Sequence, residues 1–234
     1  LKNGFDVMCD KPMTFNLAEA RDLEKKVRAS RRLFGLTHNY TGYPMVKHAR
    51  ALCRGGALGR IRKIVVEYPQ GWLAFEGDQG GKQGAWRMDP AQSGGTNCLG
   101  DLGTHVENAV CTMTGLKIKR VLAKMDKVVP GRVLDDNDYV MAEFEGGATG
   151  LFWTSQIAIG HDNSLRVRIY GDAGSIQWFQ EDPEKITVIA KDGTLTELHR
   201  GYPAIAPGAA SFGRLPSGHP EGWFEAMANL YGSF

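Results

Sequence analysis

The sequence predicts a chain in two parts: one α/β unit, then an α+β domain built on a large, mostly antiparallel open sheet. Three observations predict it. Strand, helix and strand follow one another over residues 5–38. Apolar runs separated by turn residues fill 118–200. The pairs Gly146-Gly147 and Asp192-Gly193 stand where hairpins would turn.

Each element has a local reason. Phe5 to Cys9 reads as a short buried strand, which Lys11-Pro12 stops, because proline cannot donate to a ladder. Asn16 caps a helix with Glu19 at the capping-box position, and Leu17, Ala20, Leu23 and Val27 follow helical spacing. Leu33 to His38 is the second strand, parallel to the first across a βαβ crossover. Pro44 opens a helix that Gly55-Gly56 ends. Ile61 to Tyr68 is a strand. Residues 70–98 carry seven glycines, Trp72 and Trp86 without clear periodicity, and are expected to form a long functional loop. A helix then runs from about Leu99 to Thr114, ended by Gly115. Strands follow at 118–127, 138–145, 148–156, 164–171, 174–179, 185–190 and 194–200. Residues 201–219 are a Pro/Gly-rich loop. Glu221 to Tyr231 closes with a helix whose apolar stripe is Trp223, Phe224, Met227 and Leu230.

Composition narrows the function classes. In 234 residues, 23% are charged, 42% are hydrophobic and the net charge is +2, so neither nucleic acid nor a membrane is expected as a partner. Cys9, Cys53, Cys98 and Cys111 form no C-x-x-C pair, which fits reduced thiols and a cytoplasmic setting. The six histidines show no H-x-x-x-H or H-E-x-x-H spacing, so no metal site is expected. No G-x-S-x-G, G-x-G-x-x-G or Walker-type glycine loop occurs.

Chemistry concentrates at Gly100-Asp101-Leu102-Gly103-Thr104-His105. If a helix starts near Leu99, then Asp101, His105 and Asn108 share one face and offer a carboxylate, a titratable ring and an amide to a polar substrate. A dipole-favoured helix Asp beside a hydrogen-bonded helix histidine fits the same spacing. Lys11 stands at the C-terminal end of a strand, where ligands bind in open α/β sheets, and a surface lysine before a turn fits equally. Tyr40, Trp72, Lys82, Arg87 and His161 are further candidates for substrate contact; a packed tyrosine, surface charge and a polar hairpin turn are the structural alternatives.

These residues resemble a known family, the Gfo/Idh/MocA oxidoreductases. Cys9-Asp10-Lys11-Pro12-Met13 is similar to its E-K-P motif, with Asp10 for the usual Glu. Gly100 to His105 is similar to its D-x-G-x-H motif. His38-Asn39-Tyr40 with Pro44 beyond resembles the segment linking its two domains, and Gly160 to Trp178 resembles its strand pair ending in Gly-x-x-Gly-Ser. The resemblance implies that residues 1–41 are the C-terminal remnant of a Rossmann domain binding NAD or NADP. Residues 42–234 would be the catalytic domain with the open sheet. It implies hydride transfer between nicotinamide and a CH–OH group of a sugar or cyclic polyol. Lys11, Asp101 and His105 would be catalytic, with His105 the general acid/base and Lys11 holding the reacting hydroxyl. Asp10, Lys11 and Pro12 would lie beside the cofactor, and Tyr40, Trp72, Arg87, Asp101, Asn108 and His161 would face substrate. Asn108 stands where many relatives carry Asp. The first strands and glycine fingerprint of a Rossmann domain are not in this sequence, so the chain alone is expected to be inactive. A homo-oligomer through the C-terminal sheet is expected by the same analogy. Two other readings stay open at this point: a non-catalytic sugar-binding or oligomerisation module, and a redox-assisted glycoside hydrolase or lyase.

Overall fold

Two sheets carry the chain. The computed structural model describes residues 1–75 and 81–234. In the first sheet, β1 (Val7–Cys9) pairs in parallel with β2 (Phe34–Leu36), and α1 (Leu17–Ser30) makes the crossover. Asn16 caps α1 by accepting from the Glu19 N–H, while Glu19 reaches back to the Phe15 N–H. The N-terminal signal is therefore used much as the sequence predicts. The apolar spacing of α1 is not: none of its residues is buried.

The second sheet has eight strands, drawn from β3 (Ile61–Pro69), β4 (Ile118–Asp126), β5 (Asn137–Phe144), β6 (Thr149–Ser155), β7 (Arg166–Gly171), β8 (Gly174–Phe179), β9 (Lys185–Ala190) and β10 (Leu195–His199). Their spatial order is β10-β9-β8-β7-β3-β6-β5-β4. Every pair is antiparallel except β3 with β6. The long connection from β3 to β4 makes that exception possible, because a parallel neighbour needs a crossover rather than a hairpin. One face packs on α2 (Pro44–Arg54) and α5 (Thr104–Thr114). Val66, Phe144, Ile169, Ile176 and Trp178 from the sheet meet Met45, Val46, Val106, Val110 and Met113 from the helices. Burial alternates strictly along Tyr139 to Phe144, the period-2 pattern of a sheet covered on one side.

The predicted loop 70–98 is not structureless. α3 (Gly81–Arg87) and α4 (Pro90–Ser93) lie within it, and its residues 76–80 fall outside the described residues. Helices of seven and four residues are too short for apolar periodicity to appear in sequence. A further short helix, α6 (Pro207–Ala210), interrupts the loop after β10. The closing helix, α7 (Trp223–Ser233), turns a different face inward than the sequence predicts: Ala226 and Asn229 are buried, while Trp223 and Phe224 are exposed. The reason is close approach. A Cβ on Gly42 would lie 2.1 Å from the Ala226 carbonyl oxygen, so small residues, not the aromatic stripe, meet the neighbouring turn. No helix among the described residues is long and apolar enough to cross a membrane.

Candidate active site

The end of β1, the turn before α5 and the end of β6 converge on one carboxylate. Lys11 lies just past the end of β1, and its Nζ stands 2.5 Å from Asp101 Oδ1 and 3.0 Å from the Asp101 carbonyl oxygen. Arg87, the last residue of α3, reaches Asp101 Oδ2 through Nε at 3.1 Å. Gln156 donates to the same Oδ2 from Nε2 at 3.1 Å. Burial alone would raise the Asp101 carboxyl. Lys11 and Arg87 outweigh it and hold it below its ordinary value.

Local sequence explains the presentation of Asp101. Leu99 to Gly103 form one wide π-helical turn ahead of α5, a device common at functional sites. Asp135 anchors its start: its carboxylate accepts from the Asn97 N–H at 2.8 Å and the Leu99 N–H at 2.7 Å. The acid at 101 is thus held from behind by a buried acid at 135, and from the front by two cations.

His105 sits one turn on and is buried, with its Nδ1 sealed and without a partner. Aromatic rings box it in. Tyr40 lies 4.7 Å away between centroids, His38 5.4 Å and Tyr68 6.3 Å, all edge-to-face. Burial, with Lys11 and His38 beside it, pulls the imidazole down to about 2, against the pull of Asp101. It is a neutral ring at neutral pH.

Lys11, Asp101, His105, Tyr40, Trp72, Arg87 and Asp10 all line one open cavity of about 790 Å³. Arg87 lies over the Trp86 ring at 4.4 Å and near Trp72 at 5.8 Å, so the loop tryptophans brace a cation as well as offering a flat face. Asp10 serves the backbone: its Oδ1 accepts from the Lys11 N–H and from Thr37 Oγ1, which ties the ends of β1 and β2 together. Four sequence candidates lie elsewhere. Pro12 lines a second, mostly apolar cavity of about 410 Å³ together with His38 and Thr104. Asn108 is not among the residues lining the 790 Å³ cavity, because three residues carry it about 4.5 Å further along α5. His161 is engaged with Ser164 Oγ at 3.0 Å, and the lining positions are its neighbours Asp162 and Asn163. Lys82 lies at the start of α3 and is likewise not a lining residue.

Of the opposite wall, reasoning from sequence reached only the segment His161-Asp162-Asn163. Asn163 Oδ1 accepts from Tyr68 and from Gln70 at 2.8 Å each, and its Nδ2 donates to Tyr40 at 3.0 Å. Trp223, Met227 and Tyr231 of α7 close one side. For Gln156 a signal existed: it continues the inward alternation of Phe152 and Thr154 past the end of β6, a polar residue on a core-facing position. For α7 none did, because its approach depends on Gly42, which lies 187 positions before Asn229 in the chain.

Among the described residues, Cys98, Asp135 and Asp138 bring possible ligand atoms within 4.8 Å of one another. The Asp135 carboxylate is committed to two backbone N–H groups there. Burial and Asp135 push the Asp138 carboxyl up to about 7. That behaviour is one of a buried acid beside another acid.

The model of the GFO/IDH/MocA C-terminal domain matches residues 46–177. The chain belongs to the GFO/IDH/MocA family. It is 34% identical over 237 residues to an uncharacterised oxidoreductase of Bacillus subtilis, covering all of this chain and 60% of that protein. It superposes on an inositol dehydrogenase homologue from Azotobacter vinelandii complexed with NAD+, with a TM-score of 0.94 and 35% identity over 98% of this chain and 60% of the other. The same homologue complexed with NADH and myo-inositol gives a TM-score of 0.91 and 34% identity, over 98% and 59% of the two chains. The chain thus spans about three fifths of the length of these relatives.

Proposed function

We propose that the protein is an NAD(P)-dependent oxidoreductase acting on a CH–OH group of a sugar or cyclic polyol. The observation that carries this reading is the neutral His105 beside Lys11 in one polar cavity, with both Lys11 and Arg87 fixed on Asp101. The solved relatives bound to NAD+, or to NADH and myo-inositol, support it.

A bound nicotinamide would supply the hydride acceptor or donor. The residues here fit that end of the cofactor: an open cavity lies beside Asp10 and Lys11 at the strand terminus. They do not form the phosphate cradle, since the N-terminus of α1 is filled by its own Asn16 cap with Glu19 in its first turn. We accordingly read residues 1–41 as the end of the nucleotide domain and 42–234 as the substrate domain.

In the oxidation direction, neutral His105 accepts the proton of the substrate hydroxyl. With Nδ1 sealed, Nε2 is the nitrogen available to do so. The Lys11 ammonium donates a hydrogen bond to the same oxygen and stabilises its developing negative charge. Asp101 keeps that ammonium in place, and Trp72 offers a flat apolar surface to a ring substrate. In reduction the same groups run in reverse, His105 returning a proton to the carbonyl oxygen.

The test is turnover of the full-length protein with myo-inositol and related polyols, followed by appearance of NADH or NADPH. Lys11→Ala and His105→Ala are each expected to lower kcat about 10²- to 10⁴-fold. Near-native rates in both variants would overturn the reading.

The proposal includes a homo-oligomer formed through the outer face of the eight-stranded sheet. Leu122, Met141 and Leu151 are direct cross-strand partners there and are 65%, 54% and 50% exposed. A contiguous apolar row of this kind favours a protein partner.

A further inference from the structure

We propose that His38 is a positioning residue for His105, holding that imidazole edge-on in the orientation in which it must accept a proton. The inference rests on the reading of His105 as the base and adds a residue to it. His38 closes the segment after β2, and its ring stands at 86° to His105 with centroids 5.4 Å apart. Nδ1 of both rings is sealed and without a partner. Neither Nδ1 is fixed by a hydrogen bond to carboxylate or carbonyl, the usual way an enzyme sets a histidine's orientation. Packing against rings takes that role here, with His38 on one side and Tyr40 and Tyr68 on the others.

The pair also restrains charge. Two imidazoles this close and shielded from water oppose each other's second charge, and His38 is one of the groups that lower His105. His38 lines the second cavity with Glu107 and Thr104, whereas His105 lines the substrate cavity. The outer ring therefore has the easier access to a proton, and once charged it opposes a second proton on the inner one. The groups that face His105 are Lys11 after β1, Asp101 before α5, Tyr40 and His38 around the turn after β2, and Tyr68 on β3. Of these, Lys11 and His38 oppose its protonation and Asp101 favours it. On His38 itself, burial and Lys11 oppose protonation while Asp10 favours it.

The experiment is a titration of the intact protein carrying isotopically labelled histidine, followed by nuclear magnetic resonance, in the wild type, His38→Gln and His38→Phe. In the wild type, His38 is expected to take up a proton at higher pH than His105. In both variants His105 is expected to protonate at higher pH than in the wild type, because one cation-forming neighbour is removed. Phe keeps a ring edge against His105 and Gln does not. In the full-length protein the plateau of kcat is therefore expected to fall several-fold in His38→Gln and to stay near the wild-type value in His38→Phe. Protonation of His105 before His38 in the wild type overturns the proposal, as does an unmoved His105 titration in a folded variant. If the titration moves as stated but no polyol is turned over, the pairing stands and the assignment of the activity falls.

Discussion

A single carboxylate holds the site together. Asp101 accepts from Lys11, Arg87 and Gln156 while only 12% of its side chain is exposed, so its charge balances two cations in a poorly hydrated place. Asp101→Ala would leave both cations facing each other. It is expected to cost about 2–3 kcal/mol by urea unfolding, with Asp101→Asn costing less because it keeps the packing and a hydrogen-bonding head. The buried titratable groups give a pH signature. His105, His38 and His48 are all lowered, so below about 6.5 the unfolded chain binds protons that the native state refuses. Their contribution is full above 6.5 and is lost as pH falls. Asp138, raised to about 7, acts in the opposite sense: above about 4 the unfolded chain releases a proton that the native state keeps. The histidines therefore raise stability as pH rises towards 6.5, while Asp138 lowers it as pH rises from about 4 to 7. Urea midpoints at stepped pH check this, with a shallower slope in His105→Gln. The motifs carrying this chemistry were legible in sequence because Asp101 and His105 are neighbours in the chain. Their partners Gln156 and His38 were not, because residues so far apart meet only through the fold.

At the level of elements, boundaries written by local chemistry were legible. Asn16, Pro44 and Gly115 set helix ends where the sequence placed them, Gly115 with the positive φ of 73° that favours glycine. Elements whose place depends on distant contacts were not. α7 lies against the turn Asn39–Gly42, where Asn229 Nδ2 donates to the Gly42 carbonyl at 2.9 Å. Gly42→Ala would drive a methyl into the Ala226 backbone. The expected outcome is a loss of about 2 kcal/mol in thermal or urea unfolding, together with a higher KM for polyol as Trp223, Met227 and Tyr231 shift from the cavity wall. A loss of stability with unchanged KM would mean that α7 does not shape the site.

Over the whole molecule, the eight-stranded sheet has one face under helices, and on the other Leu122, Met141 and Leu151 are exposed. If the row Leu122–Met141–Leu151 seats a second copy, Met141→Lys should convert the oligomer to a folded monomer in sedimentation experiments, with circular dichroism unchanged. A wild-type protein that sediments as a monomer would overturn the assignment of this face to a second copy. By itself the sequence determined the βαβ start, the run of antiparallel strands and the two motifs that bear the reactive groups, because period-2 alternation, caps and turns act over a few residues. Only the tertiary structure decided that Lys11, Arg87 and Gln156 meet on one carboxylate, that Asn108 and His161 stand outside the cavity lining, and that His105 is a buried, neutral ring. Those outcomes depend on burial and on groups that are 14 to 90 residues apart along the chain and within hydrogen-bonding distance in space, or a ring's width away. Local pattern carries no information on either.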